Sequence, residues 1–194
     1  MGYSLSWAAV KGGNVKSVCA VLGLRPTGER EEVAEAKIDG VQLPTGWYVV
    51  LFDHDEVKDG ILEKLSRIGE VVSCFVEDHV MFSSASSWID GKEIWKVWHD
   101  GGEIGHTHLE IRGKLPPEYE DMRKDMLEKQ AAADRDKEPV DYVYDLTAEL
   151  AKKLVGFRHD ESIPGLDGEV FEILERENVI GKLFGLGRRN TSVA

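Results

Sequence analysis

The sequence predicts an α+β protein, and three observations carry that prediction. Trp47 to Phe52 (WYVVLF) is a continuous apolar run of the kind found in a central strand covered on both faces. Tyr3 to Val10 and Glu70 to Val76 alternate apolar and polar residues as half-buried strands do. Val15 to Leu24 and the set Ile61, Leu62, Leu65 and Ile68 instead recur at i, i+3, i+4, the spacing of amphipathic helices.

In chain order, Gly12-Gly13-Asn14 breaks the first strand and places Asn14 as the N-cap of the first helix. Glu31 to Ile38 is expected to be a strand, Asp39-Gly40 a turn, and Pro44 to Gly46 the entry to the apolar strand. The second helix runs from near Val57 to Gly69, and the fourth strand follows. This βαββαβ order predicts a ferredoxin-like half, in which two helices cover one face of an antiparallel sheet. Cys74 to Gly113 extends it as a β-meander, with Ser83, Ser84, Ser86 and Ser87 assigned to a turn.

Beyond the meander, Pro116-Pro117 opens a charged helix from Glu118 to about Ala133. Its apolar stripe is narrow, only Tyr119, Met122 and Met126, so it packs lightly or awaits a partner. Leu146, Leu150 and Leu154 mark a further helix ending at Gly156, and Val170, Ile173 and Leu174 a last one after Gly168. The expected division is a sheet domain over 1–113, a helical part over 114–180 packed on it, and a flexible tail over 181–194.

Composition restricts function. A formal net charge of −12 over 194 residues disfavours nucleic acid, whose binding depends on clustered Lys and Arg. It favours a basic protein as partner, although acidic surfaces also serve solubility. No apolar run approaches the length of a membrane span. The two cysteines, Cys19 and Cys74, sit at core-like positions and no secretory leader is apparent, so the expected setting is the cytoplasm.

Cys74 to Gly113 holds three of the five tryptophans and four of the six histidines, so candidate chemistry concentrates there. His106, His108 and Glu110 share one side of a predicted strand, and two imidazoles with a carboxylate suit a divalent metal. Alternation with Thr107, Leu109 and Ile111 explains the same residues without a ligand. His79, His99 and Asp100 are candidate acid–base residues. Trp95 and Trp98 fall on opposite faces of one strand, so an indole left uncovered would join Tyr119, Met122 and Met126 as a ligand or partner surface, unless the C-terminal helices cover both indoles.

Three acid–histidine runs, Asp53-His54-Asp55, Glu77-Asp78-His79 and Arg158-His159-Asp160-Glu161, each follow an ordered element and read as turn and cap chemistry. Gly-x-Ser-x-Gly is absent, and the glycines from Gly181 to Gly187 lack the order of a phosphate loop. The phrases LPTGWYVVLFD, VEDHVMFSSASSWIDGKEIWKVWHD and GFRHDE resemble a family of uncharacterised stand-alone bacterial proteins; the resemblance implies no activity and carries no site residue. The expected function is therefore a non-enzymatic binding or regulatory protein, an acidic partner of a basic protein such as a toxin or nuclease. The alternative is a small metal- or histidine-dependent enzyme sited in the Trp/His-rich meander.

Overall fold

The computed structural model describes residues 2–177, so the tail expected over 181–194 lies outside the described residues. The elements run β1 (Ser4–Lys11), α1 (Val15–Leu22), β2 (Leu24–Glu31), β3 (Ile38–Gln42), β4 (Trp47–Asp53), α2 (Asp59–Leu65) and β5 (Val71–Glu77). They continue with β6 (Phe82–Ile89), β7 (Lys92–Asp100), β8 (Glu110–Gly113), α3 (Glu118–Asp136), α4 (Tyr142–Val155) and β9 (Phe171–Arg176). The fold is α+β: one nine-stranded sheet in the order β2-β9-β3-β4-β1-β5-β6-β7-β8, antiparallel at every pairing.

Period-two alternation divides the sheet's apolar side chains between two cores. Trp7, Ala9, Trp47, Val49, Leu51, Trp95 and Val97 face Tyr119 of α3 and Leu146 and Leu150 of α4. Ala8, Val10, Tyr48, Val50 and Phe52 face Val18 and Cys19 of α1 and Leu62 and Leu65 of α2. Helices on both sides are why WYVVLF is apolar at every position. At the start of α1, Asn14 and Ser17 form a reciprocal capping box, each accepting the other's backbone N–H at 3.1 Å. Gly23 ends the helix at φ 65°, a left-handed conformation that favours glycine.

Several expectations are corrected. Residues 32–37 form a loop rather than a strand, because pairing belongs to β2 before them and β3 after them. Asp39-Gly40 lies inside β3 instead of turning, and Gly40 is required there because a Cβ would run into the Tyr48 hydroxyl. Ser83 to Ser87 belong to β6, whose small residues pack within the sheet: Ser86 Oγ lies 2.8 Å from Ser73 Oγ and accepts the Trp88 indole N–H at 2.9 Å.

The last predicted helix is strand β9, inserted between β2 and β3. A six-residue segment with three apolar residues satisfies either period, and here the two open strand edges decide. The sheet therefore draws on residues from both sides of the boundary expected at 113. Trp95 is 5% exposed under α3 and α4, whereas Trp98 is only half-buried on the opposite face, so coverage of both indoles is not what the fold provides.

Candidate functional site

At the end of β7, alternation turns His99 inward to zero exposure. Its Nδ1 lies 2.7 Å from the carbonyl oxygen of His108 and its Nε2 lies 3.0 Å from Asp141 Oδ2. Both partners are acceptors, so both ring nitrogens donate and the ring is an imidazolium paired with a carboxylate. Burial opposes the charge. The hydrogen bonds to Asp141 and the His108 carbonyl and the charges of Asp141 and Asp100 together outweigh it, holding the His99 pKa above the ordinary histidine value. Asp141 is held below the usual carboxylate range: burial pushes it up, but the His99 bond and the Tyr144 amide prevail.

This pair belongs to a longer chain of contacts. Asp141 caps α4, its Oδ1 accepting the backbone N–H of Val143 at 3.1 Å and of Tyr144 at 3.0 Å. The Tyr144 ring meets His99 edge-on, and its hydroxyl donates to Asp78 Oδ1 at 2.6 Å. Asp78 Oδ2 in turn accepts the Tyr3 backbone N–H at 2.7 Å. His108 Nδ1 accepts the Asp100 N–H at 2.8 Å, which leaves its Nε2 proton for Glu110 Oε1, 3.3 Å away. The network ties β7, the 101–109 loop and α4 together, and neither His99, Asp141 nor His108 lines any of the clefts described below.

The structure gives the candidate acid–base residues His79, His99 and Asp100 separate hydrogen-bond partners. His79 is exposed and bonded to Glu77 at 2.8 Å, and Asp100 Oδ1 accepts the Glu103 N–H at 3.0 Å as a turn cap. The predicted metal strand starts only at Glu110, because the glycines at 101, 102 and 105 turn the chain first. His108 and Glu110 meet, while the His106 ring turns to Asp134 at 3.8 Å. Among the described residues no group of three His, Cys, Asp or Glu side chains is gathered as a metal would require.

Of the candidate partner surface, Trp95 and Tyr119 are core residues, and burial pushes the Tyr119 hydroxyl up to about 12. Met122 and Met126 are half-buried, and Met122 lines a cleft. That cleft borders a strap, residues 157–168, which carries the chain from α4 to β9. Gly156 at φ 85° ends α4, and Phe157 then packs edge-on against Trp7 at 5.4 Å, which pins the strap to the sheet. Arg158 fixes it further, donating to Asp145 at 2.9 Å, to Glu149 at 2.5 Å and to Asp160 at 2.7 Å. Burial lowers the Arg158 pKa, but three carboxylates overcome this and raise it.

The strap separates two clefts that share Glu161, Ser162 and Ile163. The first, about 580 Å³, lies between the strap, α3 and α4, with apolar walls from Met122, Phe157, Ile163 and Pro164. Two of its cations are already engaged, Arg158 as above and Lys152 by Glu161 at 2.7 Å. Glu118 and Asp121, in the first turn of α3, also line it.

The second cleft, about 360 Å³, lies between the strap, Tyr3 and the loop carrying Glu32, Val33 and Ala34. Its lining includes the carboxylates of Glu32, Asp160, Glu161 and Asp167 and, among the described residues, no lysine or arginine. His159 packs edge-on against Tyr3 at 4.8 Å; its Nδ1 is buried without a hydrogen-bond partner, and burial holds its pKa below the ordinary value.

The loop wall of the second cleft is latched from below. Glu31 Oε1 accepts the N–H of Glu35 at 2.6 Å and of Ala36 at 3.0 Å, and the buried Asp39 faces Glu31. Burial and then the Glu31 charge push the Asp39 carboxyl up to about 7. The sequence signal for the strap was the run Arg158-His159-Asp160-Glu161, whose cap and turn reading omits the clefts on either side. Comparison with family models, curated proteins and solved structures finds no match to this chain.

Proposed function

We propose that this chain is a non-enzymatic binding protein for a basic protein, seated on the strap and its two clefts. The observation that carries the reading is the charge of the second cleft, whose lining presents four carboxylates and, among the described residues, no lysine or arginine. The net charge of −12 extends the same sign over the molecule and opposes nucleic acid as the partner. Concave, partly apolar sites with a few convergent polar groups are where ligands and partner side chains bind, and the first cleft has that character as well.

Two structural readings accompany the proposal. A ferredoxin-like first half is supported by the strand order β3-β4-β1-β5 with α1 and α2 together on one face. A cytoplasmic setting is supported by two buried free thiols, Cys19 and Cys74. No helix among the described residues is long and apolar enough to cross a membrane.

The test is capture with the full chain as bait, at low and at moderate salt, beside a variant carrying Glu32→Gln, Glu118→Gln, Asp121→Asn and Asp167→Asn. Basic proteins should be recovered, lost at higher salt and depleted with the variant. Recovery of nothing, or of proteins with no basic bias, overturns the proposal.

A further inference from the structure

We infer that the second cleft is a pocket for a single cationic side chain, arginine or lysine, presented by the basic partner. The inference rests on the proposed binding function and names the group recognised and the place that recognises it.

The charge around the cleft is not uniform. Asp160 is engaged by Arg158 at 2.7 Å and Glu161 by Lys152 at 2.7 Å, so one cation of the strap and one of α4 satisfy half of the carboxylates. Glu32 on the loop and Asp167 on the strap have no ion pair among the described residues, and they stand on different walls of the same cleft. A cation entering between them gains two partners without displacing an existing bridge.

The remaining lining suits the rest of such a side chain. Val33, Ile163, Leu166 and Phe171 offer apolar surface to an aliphatic stem, which buries its methylenes while its head stays polar. Tyr3 adds an aromatic ring that a guanidinium or ammonium can approach.

Among the described residues of the lining, His159 is the one that could oppose a cation, and its setting keeps it neutral. Its Nδ1 is buried with no acceptor in reach, so protonation would create a buried, unpaired N–H on a charged ring. Burial and the neighbouring Arg158 charge disfavour the imidazolium more than Asp160, Asp78 and Glu161 favour it. The Tyr3–His159 edge contact thus closes one side of the cleft with an uncharged ring pair.

Size agrees as well. The cleft's volume of about 360 Å³ lies at the lower end of ligand pockets, ample for one long side chain and too small for a folded element.

The test is a nuclear magnetic resonance titration of the full chain with acetyl-Gly-Arg-Gly-amide, its lysine counterpart, its norleucine counterpart and putrescine. Saturable shifts confined to Tyr3, the 32–34 loop and the strap, given by both cationic peptides and not by norleucine, are the expected result. Glu32→Gln with Asp167→Asn should weaken that binding by roughly tenfold or more. Both positions lie on the surface, so the variant keeps its fold.

Shifts spread over the acidic surface and insensitive to the variant overturn the pocket. Binding of putrescine without binding of either cationic peptide makes the ligand a free amine and overturns the partner side chain. If basic proteins are still captured by the wild-type chain and equally well by the double variant, the pocket fails while the proposed function stands. If neither peptides nor basic proteins bind, both fail.

Discussion

The His99 network and the strap clefts hold much of the polar chemistry of this molecule, and they use it in opposite ways. Around His99 each ring nitrogen, each oxygen of Asp141 and both nitrogens of His108 have partners, with side-chain exposures of 0% for His99 and 4% for Asp141. Around the second cleft, Glu32 and Asp167 have no ion pair among the described residues, and one nitrogen of His159 has no hydrogen-bond partner. A satisfied polar network has nothing left to offer a ligand, so its worth is conformational. An unsatisfied one at a concave surface can still form new bonds, which is the ground on which we propose recognition at the strap.

The sharpest way to break the comparison is to cut the sealed pair. His99→Ala leaves Asp141 buried without its counter-ion and should cost about 3–5 kcal/mol, measured by urea unfolding. Its pH dependence has a definite sign. The raised His99 pKa makes its contribution full below about 6.5 and lost as pH rises through the higher folded value; the lowered Asp141 pKa makes its contribution full above about 3.8 and lost as pH falls through the lower one. The difference between wild type and variant should therefore be greatest at about pH 4 to 6.5, and a difference that is flat with pH would refute the imidazolium assignment.

A second variant asks whether burial alone makes a sealed group favourable. Asp39 is 1% exposed and its pKa is raised to about 7, so the folded chain holds a proton there that the unfolded chain has released. Wild-type stability should fall as pH rises from about 4 to about 7. Asp39→Asn should remove that decline and be more stable at neutral pH by about 2–4 kcal/mol, visible as a higher melting temperature.

Gly101→Ala probes how tightly the His99 pair is enclosed. A Cβ there would stand 2.5 Å from Asp141 Oδ2 and 2.6 Å from His99 Nε2, so the pair must shift, at a cost of about 1–3 kcal/mol by chemical denaturation. Smallest is the effect of Glu32→Gln with Asp167→Asn, which should change stability by less than about 0.5 kcal/mol while weakening peptide binding. A large stability loss in that variant would mean that the strap carboxylates hold the fold rather than a partner.

Legibility in the sequence followed burial. WYVVLF, the Asn14 cap and the Leu146, Leu150 and Leu154 face all declared their structures, because each is governed by neighbours within a few residues or by a core on every side. Strand β2 did not, since Arg25 to Arg30 are all exposed and show no alternation; it is a strand only because β9 pairs with it. Nor did β9, whose three apolar residues fit a helix until the sheet's vacancy is known.

Histidine density pointed to Cys74–Gly113, yet the geometry makes His99 and His108 ties between β7, the 101–109 loop and α4. The tie to α4 depends on Asp141, a residue 42 positions beyond His99. The second cleft was least legible, being assembled from Tyr3, residues 32–34 and the strap, which are remote in sequence and share no motif.

The insertion of β9 between β2 and β3 has a consequence for how the chain acquires its shape. β2 touches the rest of the sheet through β9, and Thr27 bonds to Ile173 across 146 positions. During synthesis β2 therefore has no neighbouring strand until almost all of the described chain has left the ribosome. Through that interval the flank of β3 is an open edge, able to recruit strands from other nascent copies. Glu32 and Glu35, in the loop after β2, give a waiting edge like charges that repel such copies. Amides of β2 and β9 should accordingly be the last to gain protection in pulse-labelled hydrogen exchange, together and in one step.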